Sequence, residues 1–177
     1  MADVVDRLKR SQMMAGIRGK NTKPERAIRK ALHSAGLRYR LHVADLPGKP
    51  DLVFPKYKAA VLVHGCFWHR HPECWWCTEP SSNQAFWSAK FEENVRRDER
   101  NLNQLEALGW RVAIVWECAL RLRQPAEVAD SLRRWLIGGA LRLILPADQE
   151  KRRSPTLQLT KKVACEASGT ATRRNSK

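Results

Sequence analysis

The sequence predicts an α/β fold, a mixed central sheet with flanking helices, on three observations. Two stretches, residues 22–35 and 83–108, repeat apolar side chains at helical spacing, each followed by a glycine, Gly36 and Gly109. Three apolar runs, at 51–54, 58–63 and 110–117, are too short for helices and carry the β-branched and aromatic residues of buried strands. Helical and strand segments also alternate, the order from which a sheet is built with helical crossovers.

Residues 1–21 are polar and basic, with Gly16 and Gly19 interrupting any helix, and read as a flexible basic arm. Thr22-Lys-Pro-Glu25 is a capping box that opens a helix with Ile28, Ala31, Leu32 and Ala35 on one face. Leu37-Arg-Tyr-Arg-Leu41 alternates at period two and predicts a half-buried strand. The turn-rich Leu46-Pro-Gly-Lys-Pro50 leads into the second strand, and Pro55-Lys56-Tyr57 turns the chain into the third. A long helix follows, carrying Phe86, Trp87, Phe91, Val95, Leu102 and Leu105. After the strand at 110–117, a closing helix runs over 125–136 into Gly138-Gly139. The predicted order is helix-strand-strand-strand-helix-strand, then the closing helix, with the first three strands in a meander and the fourth joined by a crossover.

Composition narrows the class. At 177 residues the chain holds one domain with a core large enough to need no disulfide staples. It has no run of about 18 apolar residues and no apolar signal region at its N-terminus, so a soluble cytoplasmic protein is expected. In a reducing compartment five cysteines point to metal or free thiols rather than disulfides. Thirty-three Lys and Arg against 18 Asp and Glu give a formal charge of +15, which makes nucleic acid the expected partner. No segment pairs a basic face with a strongly apolar one, so a membrane surface is not expected. The basic stretch 146–177 sets Lys151-Arg-Arg153, Lys161-Lys162 and Arg173-Arg174 among Ser, Thr and Ala. It predicts a disordered tail adding nonspecific phosphate affinity, with Cys165 a free thiol.

His64-Gly-Cys-Phe-Trp-His-Arg-His-Pro-Glu-Cys74 interleaves thiols, imidazoles and aromatics directly after the third strand. A structural zinc site needs about four thiolate or imidazole ligands converging. Cys66, His71 and Cys74 supply three, and Cys118, at the end of the last strand, is the leading fourth; Cys77 is its rival. Among seven tryptophans, Trp110, Trp116 and Trp135 fit buried faces, and Trp75 and Trp76 fall within the metal loop.

Pro50-Asp51 stands at the start of one strand and His64 at the end of the next. In the PD-(D/E)xK (restriction-endonuclease-like) fold an acidic residue at the first place binds Mg²⁺, although the usual acidic-x-lysine triplet is missing here. The chain resembles the very short patch repair (Vsr) DNA mismatch endonucleases over residues 8–137. The likeness is carried by Leu46-Pro-Gly-Lys-Pro-Asp51, His64-Gly-Cys-Phe-Trp-His69, Phe86-Trp87, Asn94-Val-Arg-Arg-Asp98, Leu108-Gly-Trp-Arg-Val112 and Val115-Trp-Glu-Cys118.

That resemblance implies a Mg²⁺-dependent endonuclease, residues 22–145, that nicks 5′ to the thymine of a T:G mismatch left by 5-methylcytosine deamination. It implies that Asp51 binds Mg²⁺, that His69 acts on the attacking water, and that His64 and Asp98 support it; Glu25 occupies an acidic position near the active site. Phe67, Trp68 and Trp87 become a wedge that enters the duplex beside the mismatch, where unstacking costs least. His33 and His42 match no functional position and are read as structural. The implied partners are double-stranded DNA with a T:G mismatch and mismatch-repair proteins, met by a bacterial monomer at the nucleoid. Two other classes fit the same residues: a zinc-stabilised DNA-binding module that does not cut, and a PD-(D/E)xK nuclease without mismatch preference.

Overall fold

A computed structural model describes residues 19–147, so most of the expected arm (1–21) and tail (146–177), with Cys165, lies outside the described residues. The elements are α1 (Lys23–Ser34), β1 (Leu52–Phe54), a 3-10 turn (Pro55–Tyr57), β2 (Ala59–His64), α2 (Gln84–Ala107), β3 (Arg111–Trp116), a short α3 (Ala119–Leu122), α4 (Pro125–Ile137) and β4 (Arg142–Leu145). Among the described residues no helix is long and apolar enough to cross a membrane.

The helix ends follow from sequence. Thr22 Oγ1 accepts from Glu25 N–H and the Glu25 carboxylate accepts from Thr22 N–H, closing the capping box. At the other end of α1, Leu37 N–H donates to Leu32 O and Gly36 N–H to His33 O; the end of α2 repeats the pair with Trp110 to Leu105 and Gly109 to Glu106. Both are the double-bonded helix stop that requires a left-handed residue, and Gly36 (φ +78) and Gly109 (φ +75) supply it.

The sheet runs β1-β2-β3-β4, with β1 antiparallel to β2 and the other pairs parallel. Period-two alternation divides β2 between two faces. Ala59 and Val61 join Ile28 and Leu32 of α1 and Val128, Leu132 and Leu136 of α4 in the main core. Ala60 and Leu62 pack with Leu105 of α2 on the other side. His64, two residues beyond Leu62, thus lies on the α2 face, opposite Trp116 in the parallel ladder.

Two elements differ from expectation. The strand expected at 37–41 is reduced to one bridge, Arg40 to Val53, made of two 2.8 Å backbone bonds. Its alternation survives, since Leu37 is buried and Tyr39 packs edge-on to Phe54. The ladder stops because β1 has only three residues and the chain turns at His42 (φ +46). Conversely, β4 was not expected; Arg-Leu-Ile-Leu is too short to announce itself, and its pairing comes from the return of the chain over α4 to β3.

One face of α2 meets the loop before β1 and the loop after β2. Trp87, Phe91, Asn94, Asp98, Asn101 and Leu105 recur at alternating steps of four and three, the spacing of a single helical stripe. Asn101 meets Gly48 (φ +71) in the loop before β1, where an added Cβ would lie 2.9 Å from Asn101 Nδ2. Gly48→Ala is therefore expected to cost roughly 2 kcal/mol or more through backbone strain and crowding together. Melting of Gly48→Ala alone and combined with Asn101→Ala checks this: the second change removes the Nδ2 and Cγ contacts, and leaves the 3.0 Å Cβ contact and the strain.

Candidate active site and metal centre

The residues singled out in the sequence gather on the α2 side of the β2–β3 ladder. His64, at the end of β2, stacks on His69 with ring centroids 4.0 Å apart and planes at 7°. His69 Nδ1 is hydrogen-bonded to Asp98 Oδ2 from α2, and His64, His69 and Asp98 bring their ligand atoms within 4.8 Å of one another. Asp98 also accepts from Arg97. Burial works against ionisation of Asp98, but the His69 bond and the His69, His64 and Arg97 charges hold its carboxyl below the usual range. An ionised Asp98 fixes the proton of a neutral His69 on Nδ1 and leaves the Nε2 lone pair to accept a proton. His64 is buried, which pushes its pKa down to about 3, so it stays neutral through the physiological range.

Asp51 sits immediately before β1. The β1–β2 pairing ends at Leu52 and Val61, and beyond it the Asp51 side chain takes the next β2 donor, with Val63 N–H to Oδ2 at 2.7 Å. Burial is the largest influence on this carboxyl and raises it to about 6, with the Glu25 charge adding and the Val63 bond, Arg29 and His69 opposing. Glu25 is buried and receives Asn21 N–H (3.0 Å), Thr22 N–H, Thr22 Oγ1 (2.9 Å) and Arg29 (2.6 Å), so its oxygens are already engaged. Asp51 has a further neighbour that the sequence reads as structural: His42 Nδ1 lies 4.0 Å from Oδ1. His33, by contrast, is an exposed residue near the end of α1.

The aromatic residues form a cluster beside His69. Phe67 packs edge-on to Trp68 (5.1 Å), Trp87 (5.6 Å) and Phe91 (5.1 Å), and Trp68 meets Trp87 at 5.9 Å. Asn94 ties it to α2 by donating to Trp68 O at 3.1 Å. Arg70 lays its guanidinium over Phe91 and bonds Thr78 O and Glu79. Phe67, Trp68 and Trp87 are half-buried rather than sealed in a core, and Phe86, edge-on to Trp87, is exposed.

Cys66, His71, Cys74 and Cys118 are all buried and bring four donor atoms within 4.8 Å of one another, a group able to hold a metal ion. His71 Nδ1 lies 3.3 Å from Cys118 Sγ and 3.7 Å from Cys66 Sγ. Those separations match the roughly 3.6 Å edge of a tetrahedron with about 2.3 Å metal–sulfur and 2.0 Å metal–nitrogen bonds. The Cys118 hydrogen bond pulls the Cys66 thiol well down while the same bond pushes Cys118 up, so negative charge collects where a cation would sit. Cys77 is half-buried at the edge and is not a member of the group, whereas Trp76 packs against it and Trp75 is exposed.

Trp116 joins the two centres. It stacks on His71 (4.1 Å, 9°) and meets His64 edge-on (5.3 Å), a role hidden from sequence because its partners are 45 and 52 positions away. The same reason hides the roles of Arg29, which the sequence does not single out, of His42, which it reads as structural, and of Asn94, which it names only as part of a motif.

Comparison with known proteins adds an independent line. A family model described as DNA mismatch endonuclease Vsr matches residues 2–75. The type II nicking enzyme V.XorIIP of Xanthomonas oryzae pv. oryzae is 49% identical over 120 residues, 68% of this chain and 88% of the relative. The DNA mismatch endonuclease Vsr of Escherichia coli K12 is 41% identical over 141 residues, 78% of this chain and 90% of the relative. The type II nicking enzyme V.NmeAIP of Neisseria meningitidis is 45% identical over 124 residues, covering 68% and 86%.

Proposed function

The chain belongs to the Vsr family of DNA mismatch endonucleases, and on that premise we propose that it nicks one strand of a duplex 5′ to the thymine of a T:G mismatch. The observation that carries this reading is the hydrogen-bonded His69–Asp98 pair stacked under His64, with Asp51 accepting from Val63 N–H, the residue before His64 in β2, and the aromatic cluster adjoining. In this reading residues 22–145 form the endonuclease unit, and the basic arm and tail add phosphate affinity.

Asp51 is the carboxylate suited to Mg²⁺, since Oδ2 is anchored by Val63 while Oδ1 faces His42 Nδ1 at 4.0 Å, beyond hydrogen-bond distance. When bound, Mg²⁺ supplies charge stabilisation at the scissile phosphate and lowers the pKa of water. His69 Nε2 takes the proton of the attacking water, and Asp98 stabilises the imidazolium that results. His64, held neutral by burial, keeps the His69 ring in plane without adding a like charge beside it. Phe67, Trp68 and Trp87 replace base stacking at the weakened step, at roughly 1–3 kcal/mol per base. Zn²⁺ is the ion expected at Cys66, His71, Cys74 and Cys118, because three thiolates and an imidazole form a closed soft-donor set. The enzyme acts as a monomer in the bacterial cytoplasm, at the nucleoid when bound to DNA, with mismatch-repair proteins as further partners.

Nicking of a T:G duplex and its matched control, in a pool of flanking sequences with Mg²⁺ and with EDTA, tests the reading. A Mg²⁺-dependent nick on the thymine strand of the mismatched duplex alone is expected. Cutting of both duplexes would instead make it a general nuclease, and binding without cutting a DNA-binding module.

The acid limb of the pH profile follows from Asp51. A cation needs the ionised carboxylate, and with the carboxyl raised to about 6 a proton competes below that pH. At subsaturating Mg²⁺, nicking is expected to fall about tenfold per pH unit below 6, and saturating Mg²⁺ should move the limb to lower pH. Profiles at two Mg²⁺ concentrations check this; a limb that ignores Mg²⁺ would assign it to another group.

A further inference from the structure

We propose that His42 is a positioning residue for Asp51, fixed by Arg29 as the Nδ1–H tautomer so that it turns an N–H rather than a lone pair toward Asp51 Oδ1, 4.0 Å away, and cannot itself ligate a metal.

Arg29 on α1 is held from two sides. Its NH2 donates to Glu25 Oε2 at 2.6 Å and its NH1 to Asn21 Oδ1, while Tyr39 Oη bonds the Arg29 carbonyl. The same NH2 lies 3.0 Å from His42 Nε2. A guanidinium has donors only, so a bond at this distance requires Nε2 to accept. A neutral imidazole whose Nε2 accepts carries its proton on Nδ1, and Nδ1 is the atom that faces Asp51 Oδ1 across 4.0 Å. The run Glu25–Arg29–His42–Asp51 therefore links the cap of α1 to the start of β1. Val63 N–H fixes one oxygen of Asp51, and His42 governs the approach to the other.

The tautomer decides what His42 does. With the proton on Nε2, the Nδ1 lone pair would stand beside Asp51 as a nitrogen ligand and favour softer ions over Mg²⁺. With the proton on Nδ1 the ring turns the positive end of an N–H dipole toward the carboxylate and leaves an oxygen-only site, the donor set Mg²⁺ prefers. His42 also stands at φ +46, a conformation that asparagine tolerates well and most residues do not. Asparagine can accept from Arg29 and donate to Asp51, which makes it the conservative replacement.

This inference rests on the assignment of Asp51 as the Mg²⁺ carboxylate. In ¹⁵N-labelled full-length protein, long-range ¹H–¹⁵N correlations assigned with His42→Asn are expected to show Nδ1 protonated and Nε2 bare at neutral pH. The reverse pattern, or a doubly protonated ring, would overturn the proposal without reference to activity. In nicking assays His42→Leu is expected to raise the Mg²⁺ concentration for half-maximal rate roughly tenfold or more, with duplex affinity in EDTA unchanged and most of the loss restored in His42→Asn. Equal loss in both variants would mean a structural role only and would overturn it. Asp51→Asn separates the two levels. If that variant loses its Mg²⁺ response while His42→Leu keeps the parental one, the role of His42 fails; if Asp51→Asn also keeps it, the assignment of Asp51 fails first.

Discussion

Replacing Asp51 with asparagine is expected to abolish nicking and, at neutral pH, to raise the melting temperature. The catalytic loss follows from removing the anionic ligand: charge stabilisation by a bound cation is worth several kcal/mol, on the order of a thousandfold in rate. The gain in stability follows from burial. Asp51 has its carboxyl raised from 3.8 to about 6, so the folded state binds its proton more tightly than the unfolded chain does. Its contribution is therefore most favourable below about pH 4 and is lost as pH rises through 6, leaving a cost of about 3 kcal/mol at pH 7. Asparagine carries no charge to desolvate and still offers an oxygen to Val63 N–H. Calorimetry at pH 7 and pH 4 checks the sign: the variant should gain most at the higher pH. A variant that nicks normally would remove Asp51 from the chemistry.

The second large effect is expected at the thiol cluster. Cys66→Ala should lower the melting temperature by about 10 °C, since loss of a structural metal ranks among the few single changes worth roughly 4 kcal/mol or more. Four residues from a long loop and the end of β3 converge there, and Cys118 and Cys66 are almost wholly buried. Without an ion, the charge gathered on the sulfurs has no partner, and the loop that carries His69 loses its anchor. Metal analysis of the intact protein should give one zinc per chain, and a strong chelator should reproduce the melting shift. Well below the lowered melting temperature, nicking is expected to keep its Mg²⁺ dependence. Loss of nicking with zinc content and melting unchanged would contradict a structural role.

Local chemistry was readable where one segment contains its own partners. The Thr22–Glu25 box and the glycines at 36 and 109 fixed the ends of α1 and α2, because caps are satisfied within a few residues. The loop thiols could be read as a metal group for a similar reason, with Cys118 chosen over Cys77 through the adjacency of β2 and β3. Residues 37–41 have the alternation of a strand but face a partner of three residues, so pattern alone overstated the ladder. β4 and the contacts of Trp116, Asn94 and His42 depend on chain segments that meet only after folding, and no periodicity announces them.

If Trp87 and Asp98 act as proposed, the stripe on α2 makes recognition and cutting a matter of measured length. Trp87 and Asp98 are 11 residues apart on one rod, about three turns and roughly 16 Å of axial rise. On the proposed function, the point where bases are sensed and the point where a phosphate is cut thus keep a constant separation, set by helix pitch. Inserting one residue between them would swing one end by about 100° relative to the other and shift it by about 1.5 Å. The molecule works as a gauge, and its graduation is the turn of a single helix.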